Sequence, residues 1–86
     1  MTRIYRMTAL LEQELSPTEL VIRDDSPKHA NHYAASEEGE THLHITIASP
    51  KFQGLTRVAQ HRAVMALLQP EMDKGLHALS LDTRIA

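Results

Sequence analysis

The chain of 86 residues contains no cysteine. This absence excludes disulfide bonds, thiolate nucleophiles and any metal site built from the chain's own cysteines. Aromatic residues make up only 3% of the sequence, which leaves little for stacking on nucleic-acid bases. The glycines at positions 39, 54 and 75 are isolated from one another, so a glycine-rich loop that cradles phosphate is missing and nucleotide binding is not expected.

Long hydrophobic runs are also missing from the sequence. The longest clearly apolar run spans residues 63–68, far short of the ~20 residues that a membrane-spanning helix needs. The first residues show no apolar signal core, so we expect a cytoplasmic protein without membrane contact. Length and composition, with 42% hydrophobic and 23% charged residues, predict a single globular domain over residues 1–86.

The charge balance and the histidine content limit the kinds of function that the sequence supports. Nine basic and eleven acidic side chains give a formal charge of −2, which offers no overall attraction to phosphate. The sequence contains neither a glycine-flanked serine nor a carboxylate in a clearly apolar setting, so nothing in it indicates catalysis. An enzyme is therefore not expected. The six histidines are the unusual feature, because histidine is the commonest metal ligand.

Apolar spacing predicts the helices. Apolar residues at steps of three and four predict a first helix over residues 2–15, which Ser16-Pro17 ends. A second helix is predicted after Thr56 as its N-cap, and Pro70 is expected to begin a third, short helix that Gly75 ends. The expected apolar face of the second helix consists of Val58, His61, Met65 and Leu68, with Val64 beside them.

Alternating apolar and polar residues predict three strands, near residues 19–24, 41–48 and 76–83. In the second strand Leu43, Ile45 and Ile47 are expected to face the core, opposite His42 and His44. In the third, the inward row is expected to be His77, Leu79 and Leu81. The resulting order, α-β-β-α-α-β, predicts an α+β fold in which the helices cover one face of a three-stranded sheet.

All the histidines except His61 allow two interpretations. Residues 25–40 are expected to form a long polar loop in which His29 and His32 have a ligand-like spacing, although the metal signal is weak and solvated loop histidines are the simpler interpretation. His42 and His44 could hold a metal at the sheet, or they could simply be polar residues on a wet face. His61 is expected to be a neutral structural imidazole bonded to the backbone, and His77 either a satisfied histidine at the core edge or a ligand.

Four segments in order along the chain resemble the BolA family: ETHL at 40–43, SPKFQG at 49–54, QHR at 60–62 and LHALSL at 76–81. The resemblance covers about residues 20–83. The sequence departs from the family pattern at Leu43, where an aromatic residue is usual, and in a loop that is lengthened around residues 30–36. The resemblance implies a fold similar to type II KH domains, consistent with the predicted order of elements.

For function, the resemblance implies a non-enzymatic adaptor that binds a monothiol glutaredoxin. The two proteins would share a two-iron, two-sulfur cluster together with glutathione, for cluster delivery or iron-status signalling. His77 corresponds to one cluster ligand of the family, and a loop histidine, His29 or His32, to a second; the residues before it make His29 the closer counterpart. The isolated protein is expected to carry no cofactor and to be a monomer or a weak homodimer.

The same family resemblance also implies an alternative, a transcription regulator that contacts DNA through the helix-bend-helix segment. The candidate residues are Lys51, Arg57, His61 and Arg62. Against it stand the net negative charge, the lack of a glycine-x-x-glycine clamp and the scarcity of aromatics, so DNA binding is expected to be weak and salt-sensitive. A third possibility is a protein-docking module that needs no metal.

Overall fold

The computed structural model describes residues 2–26 and 40–86. Most of the predicted loop, including His29 and His32, lies outside these ranges. The elements in chain order are α1 (Arg3–Leu15), β1 (Glu19–Asp24), β2 (His42–Ser49), a short 3-10 helix (Pro50–Phe52), α2 (Arg57–Asp73) and β3 (Ala78–Ile85).

Strand β2 is the centre of the three-stranded sheet. It pairs with β1 in the antiparallel sense and with β3 in the parallel sense. Because parallel neighbours need a long crossover, α2 lies between β2 and β3 in the chain. The register places His42 opposite Ala78, and Asp24 opposite Leu43. The amino-terminal ends of β2 and β3 and the carboxyl-terminal end of β1 therefore meet at one end of the sheet.

The core lies between one face of the sheet and the two helices. Leu43, Ile45 and Ile47 of β2 are buried there, as the alternation predicted. The α+β prediction, with helices on one side of the sheet, is confirmed. The other buried residues of the cluster come from α1, the 3-10 helix, α2 and the segment before β3: Met7, Leu11, Leu15, Phe52, Val64, Leu68 and Leu76.

Helix α1 follows its predicted pattern closely. Thr2 is its N-cap, with the threonine hydroxyl accepting from the Tyr5 N–H, and Met7 and Leu11 are fully buried on the inward face. Ser16, at a φ of 44°, ends the helix directly before Pro17. A left-handed residue followed by proline cannot continue a helix, so the sequence determined this boundary locally.

The inward face of α2 differs from the predicted one. Thr56 is the N-cap as expected, but the buried residues are Gln60, Val64, Leu68 and Glu71. Val58, expected in the core, is 58% exposed. Two of these inward side chains are polar. Glu71 accepts hydrogen bonds from Arg3 and Arg6. Gln60 donates from Nε2 to the Leu55 carbonyl at 3.0 Å, while its Oε1 is buried without a partner among the described residues. A hydropathy pattern assigns such residues to the outside.

The predicted break at Pro70 is also absent, and α2 continues to Asp73 as one helix. A proline inside a helix removes one backbone hydrogen bond and normally disfavours continuation. Here Leu68 and Glu71 are both buried, one on each side of the exposed Pro70. Packing on both sides of the proline holds the helix through it, and the expected separate third helix is wrong. Gly75, with a φ of 114°, carries the chain out of the helix.

The third strand begins one residue after His77, and His77 is exposed. The prediction that His77 lies in one inward row with Leu79 and Leu81 is therefore wrong for the histidine. Leu79 and Leu81 are half-buried, and the most buried residue of β3 is Thr83. Leu76 enters the core at 3% exposure, so the next residue lies outside it.

Candidate metal-ligating site

His77 has a fixed backbone and an exposed side chain. Its N–H donates to the Thr41 carbonyl at 2.8 Å, and the N–H of Ala78 donates to the same oxygen at 3.0 Å. On the preceding side, buried Leu76 anchors the chain in the core. These contacts hold the main chain at the start of β3 while the imidazole remains accessible to a ligand or a partner.

The His42 ring lies next to the His77 ring. Their centroids are 5.2 Å apart and the ring planes are tilted by 48°. His42 is half-buried, and its Nδ1 lies 3.0 Å from the Thr41 hydroxyl oxygen. The Ser26 hydroxyl oxygen accepts from the Thr41 N–H at 2.8 Å. We call His42 and His77 the histidine pair; it occupies the sheet end where β2 and β3 begin.

His44, two residues along β2, has different partners. Its Nδ1 lies 2.6 Å from the Ser80 hydroxyl oxygen on the neighbouring strand. Nearby, Arg23 donates two hydrogen bonds to the Asp25 carboxylate, at 2.8 and 3.0 Å. The Arg23 hydrogen bonds hold the pKa of Asp25 below its usual range. His44 and the Arg23–Asp25 pair thus form polar contacts on the open face, as expected for a sheet with one wet side.

His61 does not fit its expected role as a backbone-bonded imidazole. It is half-buried on α2, and its Nε2 is buried without a hydrogen-bond partner among residues 2–26 and 40–86. This ring nitrogen is covered by protein and is not available to contact DNA. A polar nitrogen left in this state costs stability, because it loses its hydrogen bonds to water.

The other basic residues that the DNA-binding alternative names do not form a single patch. Lys51, in the 3-10 helix, donates from Nζ to the Glu14 carbonyl at 3.0 Å. Arg57 and Arg62 are exposed on α2, and no carboxylate of the described part of the chain lies within ion-pair distance of either. Five residues apart, they point about 140° from each other around the helix.

The remaining candidate ligands, His29 and His32, lie outside the described residues, so the prediction of a loop ligand stays a prediction. Within the described ranges, no three histidine or acidic side chains are grouped so that they could hold a metal ion. In the same ranges no helix has the length and apolar character needed to cross a membrane.

The nearness of His42 to His77 was not predicted. The sequence showed His42 as a polar residue alternating with Leu43 and as a possible metal ligand together with His44, not with His77. The pair arises because β2 and β3 run parallel and start at the same end of the sheet, and that pairing sense has no signature in either strand alone. The two histidines lie at opposite ends of the crossover in the chain, so their proximity becomes evident only once β2 and β3 are known to pair.

The fold is a small α+β domain with two helices on one face of a three-stranded mixed sheet. A family model described as BolA-like protein matches residues 11–86, and the chain belongs to the BolA-like protein family.

Similar proteins agree with this assignment. Over 81 residues the chain is 46% identical to Protein BOLA1, chloroplastic, of Arabidopsis thaliana, covering 92% of this chain and 51% of that protein. It is 45% identical over 84 residues to SufE-like protein 1, chloroplastic/mitochondrial, of the same plant, covering 93% of this chain and 23% of that protein. The chain thus spans about half and about a quarter of these relatives. A solved structure of BolA1 from Arabidopsis thaliana superposes with a TM-score of 0.89 at 42% identity, covering 99% of this chain and 93% of that one.

These comparisons confirm the resemblance to the BolA family and the fold. The names of the two plant relatives place those proteins in organelles, so the expected cytoplasmic location of this chain is not confirmed.

Proposed function

We propose that this protein is a non-enzymatic adaptor that binds a monothiol glutaredoxin and co-ligates a bridging two-iron, two-sulfur cluster through His77. The observation that carries the proposal is the exposed His77 imidazole on a backbone that two hydrogen bonds to Thr41 hold in place. A ligand on a fixed strand end can meet a cluster presented by another protein with little loss of side-chain and backbone freedom.

The donor chemistry supports this proposal. A two-iron cluster takes four protein or thiol ligands, and imidazole can replace thiolate on one iron. The chain has no cysteine, so its contribution is imidazole nitrogen, while the partner and glutathione supply thiolates. Replacing thiolate by imidazole raises the reduction potential of such a cluster. The second imidazole of the proposal comes from the loop, from His29 or His32, as the family resemblance implies.

The test is anaerobic reconstitution of a monothiol glutaredoxin with glutathione, iron and sulfide, followed by visible circular dichroism as this protein is added. Wild-type protein is expected to change the cluster spectrum, and His77→Ala is expected to leave it as it is with the glutaredoxin alone. His44→Ala is the matched control, because His44 lies on the same sheet but is bonded to Ser80; it should behave as wild type. His29→Ala and His32→Ala then identify the loop ligand.

An unchanged spectrum with the wild-type protein would contradict the adaptor function. A complex with glutaredoxin that forms equally well with and without iron would instead favour the metal-independent docking module. The iron dependence of a pull-down therefore separates these two functions.

DNA binding through α2 is the second candidate, favoured by the exposed Arg57 and Arg62, which lack a carboxylate partner in the described ranges. Their divergence around the helix and the covered Nε2 of His61 weigh against it. Fluorescence anisotropy with a labelled DNA duplex at low salt tests it. Binding that weakens steeply with salt, and that falls when Arg57 and Arg62 are replaced by alanine, would support this candidate.

A further inference from the structure

We propose that His42 and His77 form a two-imidazole site for one divalent transition-metal ion of the zinc class. The inference goes beyond the proposed function, because the site is in the free protein and needs neither a glutaredoxin nor a cluster. Zinc is bound by imidazole nitrogen, and water can complete the coordination of a site with too few protein ligands.

The separation of the two rings suits a shared ion. A zinc ion lies 2.0–2.1 Å from a ligating ring nitrogen and hence ~3.2 Å from the ring centroid. Two imidazoles on one tetrahedral ion therefore have centroids ~5.2 Å apart. The centroids of His42 and His77 are separated by 5.2 Å.

The surroundings of His42 favour metal binding by one of its two ring nitrogens. Nδ1 lies 3.0 Å from the Thr41 hydroxyl oxygen. When Nδ1–H donates to that oxygen, Nε2 carries the lone pair and is the ligating atom. Ligating histidines commonly have such a hydrogen bond on their other nitrogen, and it fixes both the tautomer and the ring orientation.

The backbone of both residues is held before any metal arrives. The His42 carbonyl accepts from the Asp25 N–H at 2.7 Å, and the His77 N–H donates to the Thr41 carbonyl at 2.8 Å. The parallel register that sets His42 opposite Ala78 places His77 beside it. A pair positioned in this way loses little conformational freedom on binding, which favours measurable affinity from two ligands.

The test is isothermal titration of the full, glutaredoxin-free chain with zinc chloride, together with nitrogen NMR of the histidine rings. We expect one zinc ion per chain and metal-induced ring-nitrogen shifts at His42 and His77. His42→Ala and His77→Ala should each lower the zinc affinity at least ~10-fold, since even loss of an outer-shell partner costs 10–100-fold. His44→Ala should bind as wild type.

Three outcomes would overturn the inference: no zinc binding to the wild type, binding that survives His42→Ala, or binding lost in a His29→Ala/His32→Ala double variant with His42 and His77 intact. His42→Asn and His77→Asn are made in parallel and checked by far-ultraviolet circular dichroism, so a folding defect is recognised as such. Because zinc binding is measured without glutaredoxin or iron, its failure leaves the cluster experiment unaffected, and failure of the cluster experiment leaves the zinc result standing.

Discussion

Arg3 and Glu71 form a buried ion pair across 68 positions of the chain, with Arg3 Nε donating to Glu71 Oε1 at 3.1 Å. Their side chains are only 4% and 8% exposed. Arg6 donates to both oxygens of the same carboxylate, at 2.8 and 2.9 Å, and Arg3 Nη2 donates to the Lys74 carbonyl. This cluster joins the start of α1 to the end of α2, just before Leu76 and His77.

Replacing Glu71 by glutamine should lower the free energy of unfolding by about 3 kcal/mol, because it removes the carboxylate that neutralises two arginines in a buried setting. Urea unfolding at neutral pH measures the change. Glu12→Gln, on the exposed side of α1, is the control and should stay within about 0.5 kcal/mol of wild type. Equal losses in the two variants would show that the ion pair contributes no stability.

We expect the Glu71 carboxylate to make the stability of the folded protein sensitive to acid. The hydrogen bond from Arg6, helped by Arg3 and opposed by burial, holds the pKa of Glu71 below its usual range. A carboxyl with a lower pKa in the folded than in the unfolded protein stabilises fully above its unfolded pKa, and this contribution is lost as pH falls through the folded pKa. Wild type should therefore lose more stability than Glu71→Gln between about pH 6 and pH 3. Parallel pH profiles of the urea midpoint would contradict this.

Two identical substitutions on α2 test its inward face. Val64 is fully buried and Val58 is 58% exposed. Val64→Ala should lower the free energy of unfolding by about 2 kcal/mol through lost contacts and a small cavity, whereas Val58→Ala should change it by less than about 0.5 kcal/mol. Similar values for the two variants would mean that the apolar face predicted from the sequence is the correct one.

Pro70→Ala should stabilise the protein. Alanine restores the missing N–H at an exposed position inside α2, where proline costs ~3 kcal/mol relative to alanine. The greater freedom of alanine in the unfolded chain offsets ~0.4–1 kcal/mol of that gain. We expect a net increase of about 2 kcal/mol in the free energy of unfolding, measured with urea. A loss of stability would show that the helix needs the proline at this point.

Thr41→Val should weaken zinc binding about 10-fold, because it removes the hydroxyl that orients the His42 ring. The control is Thr46→Val, a half-buried threonine of β2 on the same face of the sheet as His42. Isothermal titration compares both variants with wild type. If the two valine variants bind zinc with equal affinity, the Thr41 hydroxyl has no role in orienting His42.

Most of the secondary structure could be predicted from local patterns. The steps of three and four in α1, its end at Ser16-Pro17 and the Thr56 cap depend on neighbours within one or two turns. The alternation of β2 identified the buried Leu43, Ile45 and Ile47. The predicted exposed row opposite them contains His42, the residue that completes the histidine pair. These features were accessible because helix and strand periods report burial directly.

The features that failed share one cause, which is contact between distant parts of the chain. Glu71 is buried on α2 because Arg3 and Arg6, at the other end of the chain, donate to its carboxylate, and a hydropathy pattern does not contain those partners. For the same reason α2 passes through Pro70, since packing on both sides of the proline opposes the local break.

The sequence by itself determined α1, the existence of the three strands and the family, and it singled out His77 as a candidate ligand. Only the tertiary structure decided that His77 is exposed and that His42 is its neighbour. The pairing sense of β2 and β3 brings these two rings within 5.2 Å. Periodicity describes how each strand faces the core, but the distance between two strand ends depends on how the crossover helix packs. Hydrogen bonds between β2 and the start of β3 then hold that arrangement.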